Sequence, residues 1–170
     1  MNESKKLNSR KTKQILFVCL GNICRSPAAE AVFRRVVDEA GLADVLTVDS
    51  AGLIDYHEGE LADPRMRMQA ARRGYELVHR SRPVTSDDFV RFDWIVGMDG
   101  QNMSRLRHLS PENSAKLMLL SDFLTQHDEP MIPDPYYGDE KDFIHVLDLL
   151  DDACRGLLVY LMPYLAGAGK

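Results

Sequence analysis

VCLGNICRSPAAEAVF, Val18 to Phe33, begins as the end of an apolar strand and finishes as a helix, with two cysteines and an arginine in the loop between. The run leading into it, Gln14 to Cys19, is almost continuously apolar and rich in β-formers, the pattern of a strand buried on both faces of a parallel sheet. Beyond the loop, Ala28, Ala29, Val32, Phe33 and Val36 recur at helical spacing and Gly41 closes the segment. Ser26-Pro27 reads as a side-chain cap followed by proline at the first helical position.

The alternation continues outward. Val45 to Val48 reads as a second strand, Asp63 to Arg73 as a helix closed by Gly74, and Asp93 to Met98 as a third strand. Thr85 and Asp88 have capping-box spacing, Asp99 is placed to cap a helix running to about His108, and Lys116 to Leu120 is a fourth strand candidate. From Lys141 onward, Phe143, Val146, Leu147, Leu150, Cys154, Leu157, Leu158 and Leu161 form one apolar stripe at helical intervals. The expected fold is a single α/β domain over 14–170. Its sheet is open, twisted, parallel and mainly four-stranded, with helices on both faces and a phosphate-binding loop after strand 1. Ligands of such sheets bind beyond the carboxyl ends of the strands, where the loop after Cys19 lies.

That loop has the chemistry of an anion site. Five residues separate Cys19 from Arg25, enough for the chain to curl around one small centre into which the following helix directs its positive end and unpaired N–H groups. The residues from Leu20 through Gly21, Asn22, Ile23 and Cys24 to Arg25 and Ser26 would line it, with the planar Arg25 fork holding two phosphate oxygens. Gly21 and Asn22 tolerate the left-handed backbone angles that turn amides inward. A free thiol titrates at about 8.5, and helix N-termini and cations lower that to roughly 3.5–7.5, so the position suits Cys19 as a nucleophile. The stretch lacks the Gly-Lys-Ser/Thr ending of a nucleotide loop, and two cysteines at this spacing make no zinc site.

Composition narrows the classes. The 170 residues are 45% hydrophobic and 28% charged, with formal net charge -5, the balance of one ordinary globular domain without the basic excess of a nucleic-acid binder. No apolar run approaches the roughly 20 residues of a spanning helix. Residues 1–13 are basic and polar without a signal-like apolar core, and read as a flexible leader. Three cysteines are too few for a disulfide scaffold and fit a reducing, cytoplasmic setting.

VCLGNICRSP, together with PDPYYGD (Pro133 to Asp139), resembles the low-molecular-weight protein tyrosine phosphatases. The likeness extends to DSAGL (Asp49 to Leu53), DPR (Asp63 to Arg65), HRSRPVTSDDF (His79 to Phe89) and Met98-Asp99. It implies Cys19 as nucleophile, Arg25 as phosphate clamp, Ser26 as the hydroxyl stabilising the thiolate and Asp134 as general acid. It further implies a left-handed Asn22 held by neighbours that include Ser50 and His79. Tyr56 and Tyr136 become aromatic walls, Leu20 and Ile23 flank the loop, and Tyr137 is a second wall or a modification site. Cys24 becomes a thiol that traps oxidised Cys19 as a disulfide.

The implied activity is hydrolysis of phosphotyrosine proteins and small aryl phosphates through a phosphocysteine, with acid phosphatase activity, no metal and no cofactor. The enzyme is expected as a monomer with at most weak self-association, partnering neither nucleic acid nor membrane. There are two enzyme alternatives, one a branch of the same family and one that shares its fold and loop. A phosphoarginine phosphatase would carry threonine where Ile23 stands and no tyrosine pair after Asp-Pro, and a thiol-dependent arsenate reductase needs further downstream cysteines, of which only Cys154 is present. A phosphate-binding module without turnover is the non-enzymatic alternative.

Overall fold

The computed structural model describes residues 12–110 and 115–165. Four strands, β1 (Lys13–Cys19), β2 (Leu46–Gly52), β3 (Trp94–Gly97) and β4 (Lys116–Leu119), pair in the order β2-β1-β3-β4, all parallel. Among the described residues, five α-helices connect or follow them: α1 (Arg25–Glu39), α2 (Pro64–Arg72), α3 (Ser86–Arg91), α4 (Gly100–Leu109) and α5 (Glu140–Leu161).

β1 is central, and alternation along it explains the two cores. Ile15, Phe17 and Cys19 face a large cluster in which Val32 and Phe33 of α1, Met66 of α2, and Phe143, Leu150 and Leu157 of α5 are buried. Leu16 and Val18 face a smaller cluster with Phe89, Ile95, Met103 and Leu106 beneath α3 and α4. Every apolar position predicted on the α5 stripe is buried. Phe17 and Phe33 lock β1 to α1 edge to face, centroids 5.4 Å apart, and truncating either to alanine costs about 3–5 kcal/mol.

Several sequence expectations need correction. Residues 1–11, most of the expected leader, lie outside the described residues, and Lys13 already belongs to β1, so the boundary at 14 falls inside a strand. β2 runs to Gly52, well past the expected Val48, because its whole length pairs with β1 from Lys13↔Leu46 to Cys19↔Gly52. α1 begins at Arg25, so Ser26 and Pro27 are its second and third residues and Ser26 makes no capping bond. Gly21 has no left-handed conformation; in this loop Asn22 alone takes it, with φ 57°.

Helix ends follow local chemistry. Asp63 and Asp99 accept the N–H groups of Arg65 (2.8 Å) and Asn102 (2.7 Å), capping α2 and α4. Asp88 accepts Thr85 N–H at 2.8 Å in the expected capping box. Past the helix ends, Gly41 and Gly74 take φ 72° and 83°, which glycine alone adopts without strain.

Candidate active site

Residues 19–25 join β1 to α1 at the carboxyl edge of the sheet. Their carbonyls are tied down from outside. Leu53 N–H donates to Cys19 O (3.0 Å) and Leu20 O (2.9 Å), Ser81 Oγ to Gly21 O (3.1 Å), and Asp63 N–H to Ile23 O (2.8 Å). A planar trans peptide points its N–H opposite to its C=O, so the N–H groups of Leu20, Gly21, Asn22 and Cys24 aim away from these partners. Gly52, at the end of β2, lets the loop approach: a Cβ there would lie 3.0 Å from the Asn22 Cβ and 3.1 Å from its backbone nitrogen.

Asn22 holds the bend. Its Nδ2 donates to Ser26 Oγ (2.8 Å) and Ser50 Oγ (3.0 Å), and its Oδ1 accepts from Arg82 N–H (3.0 Å). Because Oδ1 is an acceptor, His79 Nε2, 3.0 Å away, carries the proton that donates to it. The opposite ring nitrogen, Nδ1, faces Glu30 Oε1 at 3.2 Å and Asp49 Oδ1 at 3.4 Å. Burial pushes Glu30 up to about 7 and draws His79 below its ordinary value, the latter against the pull of Asp49 and with help from Arg82. Among the described residues, these three alone bring metal-ligand atoms within 4.8 Å of one another, and Ser50, Arg34 and Arg82 already occupy their carboxylates.

Ser26 Oγ lies 3.0 Å from Cys19 Sγ. With Asn22 donating to that oxygen, the hydroxyl hydrogen is free for sulfur, a shorter contact than the 3.5 Å to Ala51 O. Arg25 is buried, and its Nη1 donates to Asp99 Oδ2 (2.7 Å) and Ile132 O (3.0 Å). Burial opposes its charge, but Cys19 and the hydrogen bond to Asp99 outweigh that and hold the guanidinium above its ordinary value. Arg25 Nη2 lies 3.7 Å from Asp134 Oδ2. Asp134 Oδ1 accepts Tyr136 N–H at 3.1 Å.

These groups share one cavity of about 340 Å³, lined by Cys19, Leu20, Gly21, Ile23, Cys24, Arg25, Asp134 and, toward the mouth, Ile54, Tyr56, His57, Tyr136 and Tyr137. Its floor is closed and its rim open: Cys19 is 3% exposed, Tyr56 81% and Tyr137 95%. A larger groove of about 750 Å³ beside Leu61, Met68 and Val78 holds no nucleophile, so size does not mark the site. Cys24 is buried beside Cys19, and burial first, then Asp63 and Cys19, pushes its thiol up. Cys154 is fully buried on α5, its Sγ 3.9 Å from Ala29 O, as core filling.

The structure thus gathers every site residue expected from sequence, with Ser50 and His79 behind Asn22 and the tyrosines at the rim. Sequence reasoning missed Asp99 as the partner of Arg25, Arg82 on Asn22, Glu30 behind His79, and Ile54 and His57 in the wall. His57 carries a visible signal, a histidine three residues before Glu60, whose Oε2 lies 2.8 Å from its Nδ1. The others depend on pairings distant in the chain.

Comparison with known proteins agrees with this geometry. Residues 14–164 match the family model described as low molecular weight phosphotyrosine protein phosphatase. A low molecular weight protein-tyrosine-phosphatase of Streptomyces coelicolor is 41% identical over 160 residues, covering 92% of this chain and 98% of the relative. The crystal structure of a protein tyrosine phosphatase from Entamoeba histolytica, with Hepes in its active site, superposes with TM-score 0.88 at 47% identity, covering 90% of this chain and 99% of that one. A Drosophila arginine phosphatase superposes with TM-score 0.80 at 32% identity, covering 86% and 96%. With its sheet order, its cysteine-arginine loop and its Asp134 all in place, this chain belongs to the low molecular weight phosphotyrosine protein phosphatase family.

Proposed function

We propose that the chain hydrolyses phosphotyrosine in proteins, and small aryl phosphates, through a phosphocysteine on Cys19. The observation that carries this is the convergence of Cys19, Arg25 and Asp134 on one cavity, with the Ser26 hydroxyl 3.0 Å from the Cys19 sulfur. The substrate phosphate sits in the loop, its oxygens taking the N–H groups of residues 20–26 and the Arg25 fork. Cys19 Sγ attacks phosphorus; the S–P bond forms as the P–O bond to the aryl group breaks, and Asp134 gives its proton to the departing oxygen. A water then attacks phosphorus while the Asp134 carboxylate takes its proton. The S–P bond breaks, inorganic phosphate forms, and the sulfur leaves as a thiolate that Ser26 stabilises.

Substrate length follows from depth. The sulfur lies on a buried floor beneath exposed Tyr56 and Tyr137, so a phosphate must stand at the end of a long, flat group to reach it. Ile23, in the wall, offers no hydroxyl to a guanidino phosphate. The fully buried Cys154 is poorly placed to relay electrons, which disfavours arsenate reduction. Turnover of a phosphotyrosine peptide against phosphoserine and phosphoarginine peptides tests the assignment. Phosphotyrosine is expected to lead by at least tenfold in kcat/KM, and a lead for phosphoarginine would overturn it.

A further inference from the structure

The DPR stretch, Asp63 to Arg65, has no part in the chemistry above, yet it touches both halves of the site. Asp63 is anchored on the phosphate loop by its N–H to Ile23 O (2.8 Å). Its carboxylate takes a two-pronged grip from Arg65, Nε to Oδ1 at 3.1 Å and Nη2 to Oδ2 at 2.9 Å. The same Nη2 donates to Tyr136 O at 2.9 Å. Tyr136 is the residue whose N–H holds Asp134 Oδ1, the one hydrogen bond on that carboxylate among the described residues. The guanidinium lies over the buried Phe143 ring at 4.7 Å and the Tyr136 ring at 5.5 Å, so it is backed as well as bonded.

We propose that Arg65 is a positioning residue for the general acid: it ties the acid loop, at the Tyr136 carbonyl, to the phosphate loop, through Asp63, and so fixes where Asp134 stands. The inference rests on the roles given above to Cys19 and Asp134. Arg65 grips one end of the Tyr136 residue while the other end aims the acid. Asp134 is 41% exposed in its side chain and has little else to hold it. A lysine keeps the charge and the stem over Phe143, but its single ammonium lacks the fork that spans two carboxylate oxygens and a carbonyl.

The test is kcat/KM for a series of aryl phosphates of rising phenol pKa, measured with wild type, Arg65→Ala, Arg65→Lys, Asp134→Ala and the Arg65→Ala/Asp134→Ala double variant, alongside inhibition by inorganic phosphate. Loss of acid positioning hurts poor leaving groups most, so the deficit of Arg65→Ala should grow by about tenfold from p-nitrophenyl phosphate to phosphotyrosine, with Arg65→Lys between. In the Asp134→Ala background the same change should cost less than about twofold, and phosphate inhibition should move less than about twofold. A deficit equal across the series, undiminished in the Asp134→Ala background, or matched by weaker phosphate inhibition overturns the proposal and leaves the phosphatase assignment standing. A wild type that turns over no member of the series overturns both.

Discussion

Asp99 joins two tasks in one carboxylate: Oδ2 accepts from Arg25 Nη1 at 2.7 Å while Oδ1 accepts from Asn102 N–H at 2.7 Å and caps α4. The Arg25 guanidinium is therefore oriented by the residue that caps α4, just past the end of β3. Ile132 O holds the same Nη1, and Ile132 N–H donates to Met98 O at 2.8 Å, so the arginine is fixed from the turn just after β3 and from the segment leading to Asp134.

The two tasks separate by substitution. Asp99→Asn keeps an excellent cap but removes the charge facing Arg25. Its stability should stay within about 1 kcal/mol of wild type, while kcat/KM for an aryl phosphate falls about tenfold or more. Urea unfolding and steady-state kinetics on the same preparation check it. Unchanged kinetics would show that Asp99 serves only α4.

Asp134→Ala should lower kcat for a phosphotyrosine peptide by about 10²–10⁴-fold. Inhibition by inorganic phosphate should persist, because the loop N–H groups and Arg25 remain. Steady-state inhibition measurements decide it; equal collapse of binding and turnover would place Asp134 in phosphate binding instead.

Asn22 carries both a conformation and a set of bonds. Asn22→Gly keeps access to φ 57° and loses the amide network to Ser26, Ser50, His79 and Arg82, whereas Asn22→Ala loses the network and adds strain. Both should bind phosphate more weakly, with Asn22→Ala the less stable by about 1 kcal/mol. Thermal unfolding with and without phosphate checks the order.

Asp152 pins residues 125–127, in the segment that leads toward Asp134. It accepts from Thr125 N–H and Oγ1, Gln126 N–H, and His127 N–H and Nδ1, at 2.7–3.0 Å. Burial would raise this carboxyl, but those hydrogen bonds, led by Thr125 and His127, prevail and hold it well below the usual carboxylate range. A depressed carboxyl contributes stability above its unfolded value near 4, and that contribution is lost as pH falls below it. Asp152→Asn should therefore cost about 1.5–3 kcal/mol at pH 7, with the gap to wild type narrowing at pH 3 and below. Urea titrations at both pH values test the sign.

Cys24 and Cys19 line the same cavity, and peroxide oxidation of Cys19 to a sulfenic acid would let the Cys24 thiol displace water and close a disulfide. Cys24→Ser should shift the product of mild peroxide treatment from a reducible disulfide to sulfinic Cys19, read by mass spectrometry before and after a thiol reductant. Equal recovery of activity in both proteins would contradict a protective role.

What the sequence disclosed, and what it hid, follows chain distance. β1, the loop and α1 were legible because Gln14 to Gly41 carries its own periodicity and breakers, and α5 because its stripe is long. Ser26 looked like a cap since its local spacing is right, but its hydroxyl is committed to Cys19 and Asn22. β2 looked short because Asp49 and Ser50 are polar. Pairing with β1 keeps them in the strand, and their side chains serve the site. Asp99 with Arg25, Arg82 with Asn22, and Arg65 with Tyr136 join residues distant in the chain, which no local pattern reveals.

Turnover through Cys19 requires a covalent phosphoryl group on its sulfur. Rapid acid quenching during turnover of a phosphotyrosine peptide, followed by peptide mapping, tests it directly. A phosphorylated Cys19 peptide is expected at early times, with a burst of dephosphorylated product of one per chain and no such peptide in Cys19→Ser. Steady turnover with no phosphorylated Cys19, or with the phosphoryl group on another residue, would contradict it.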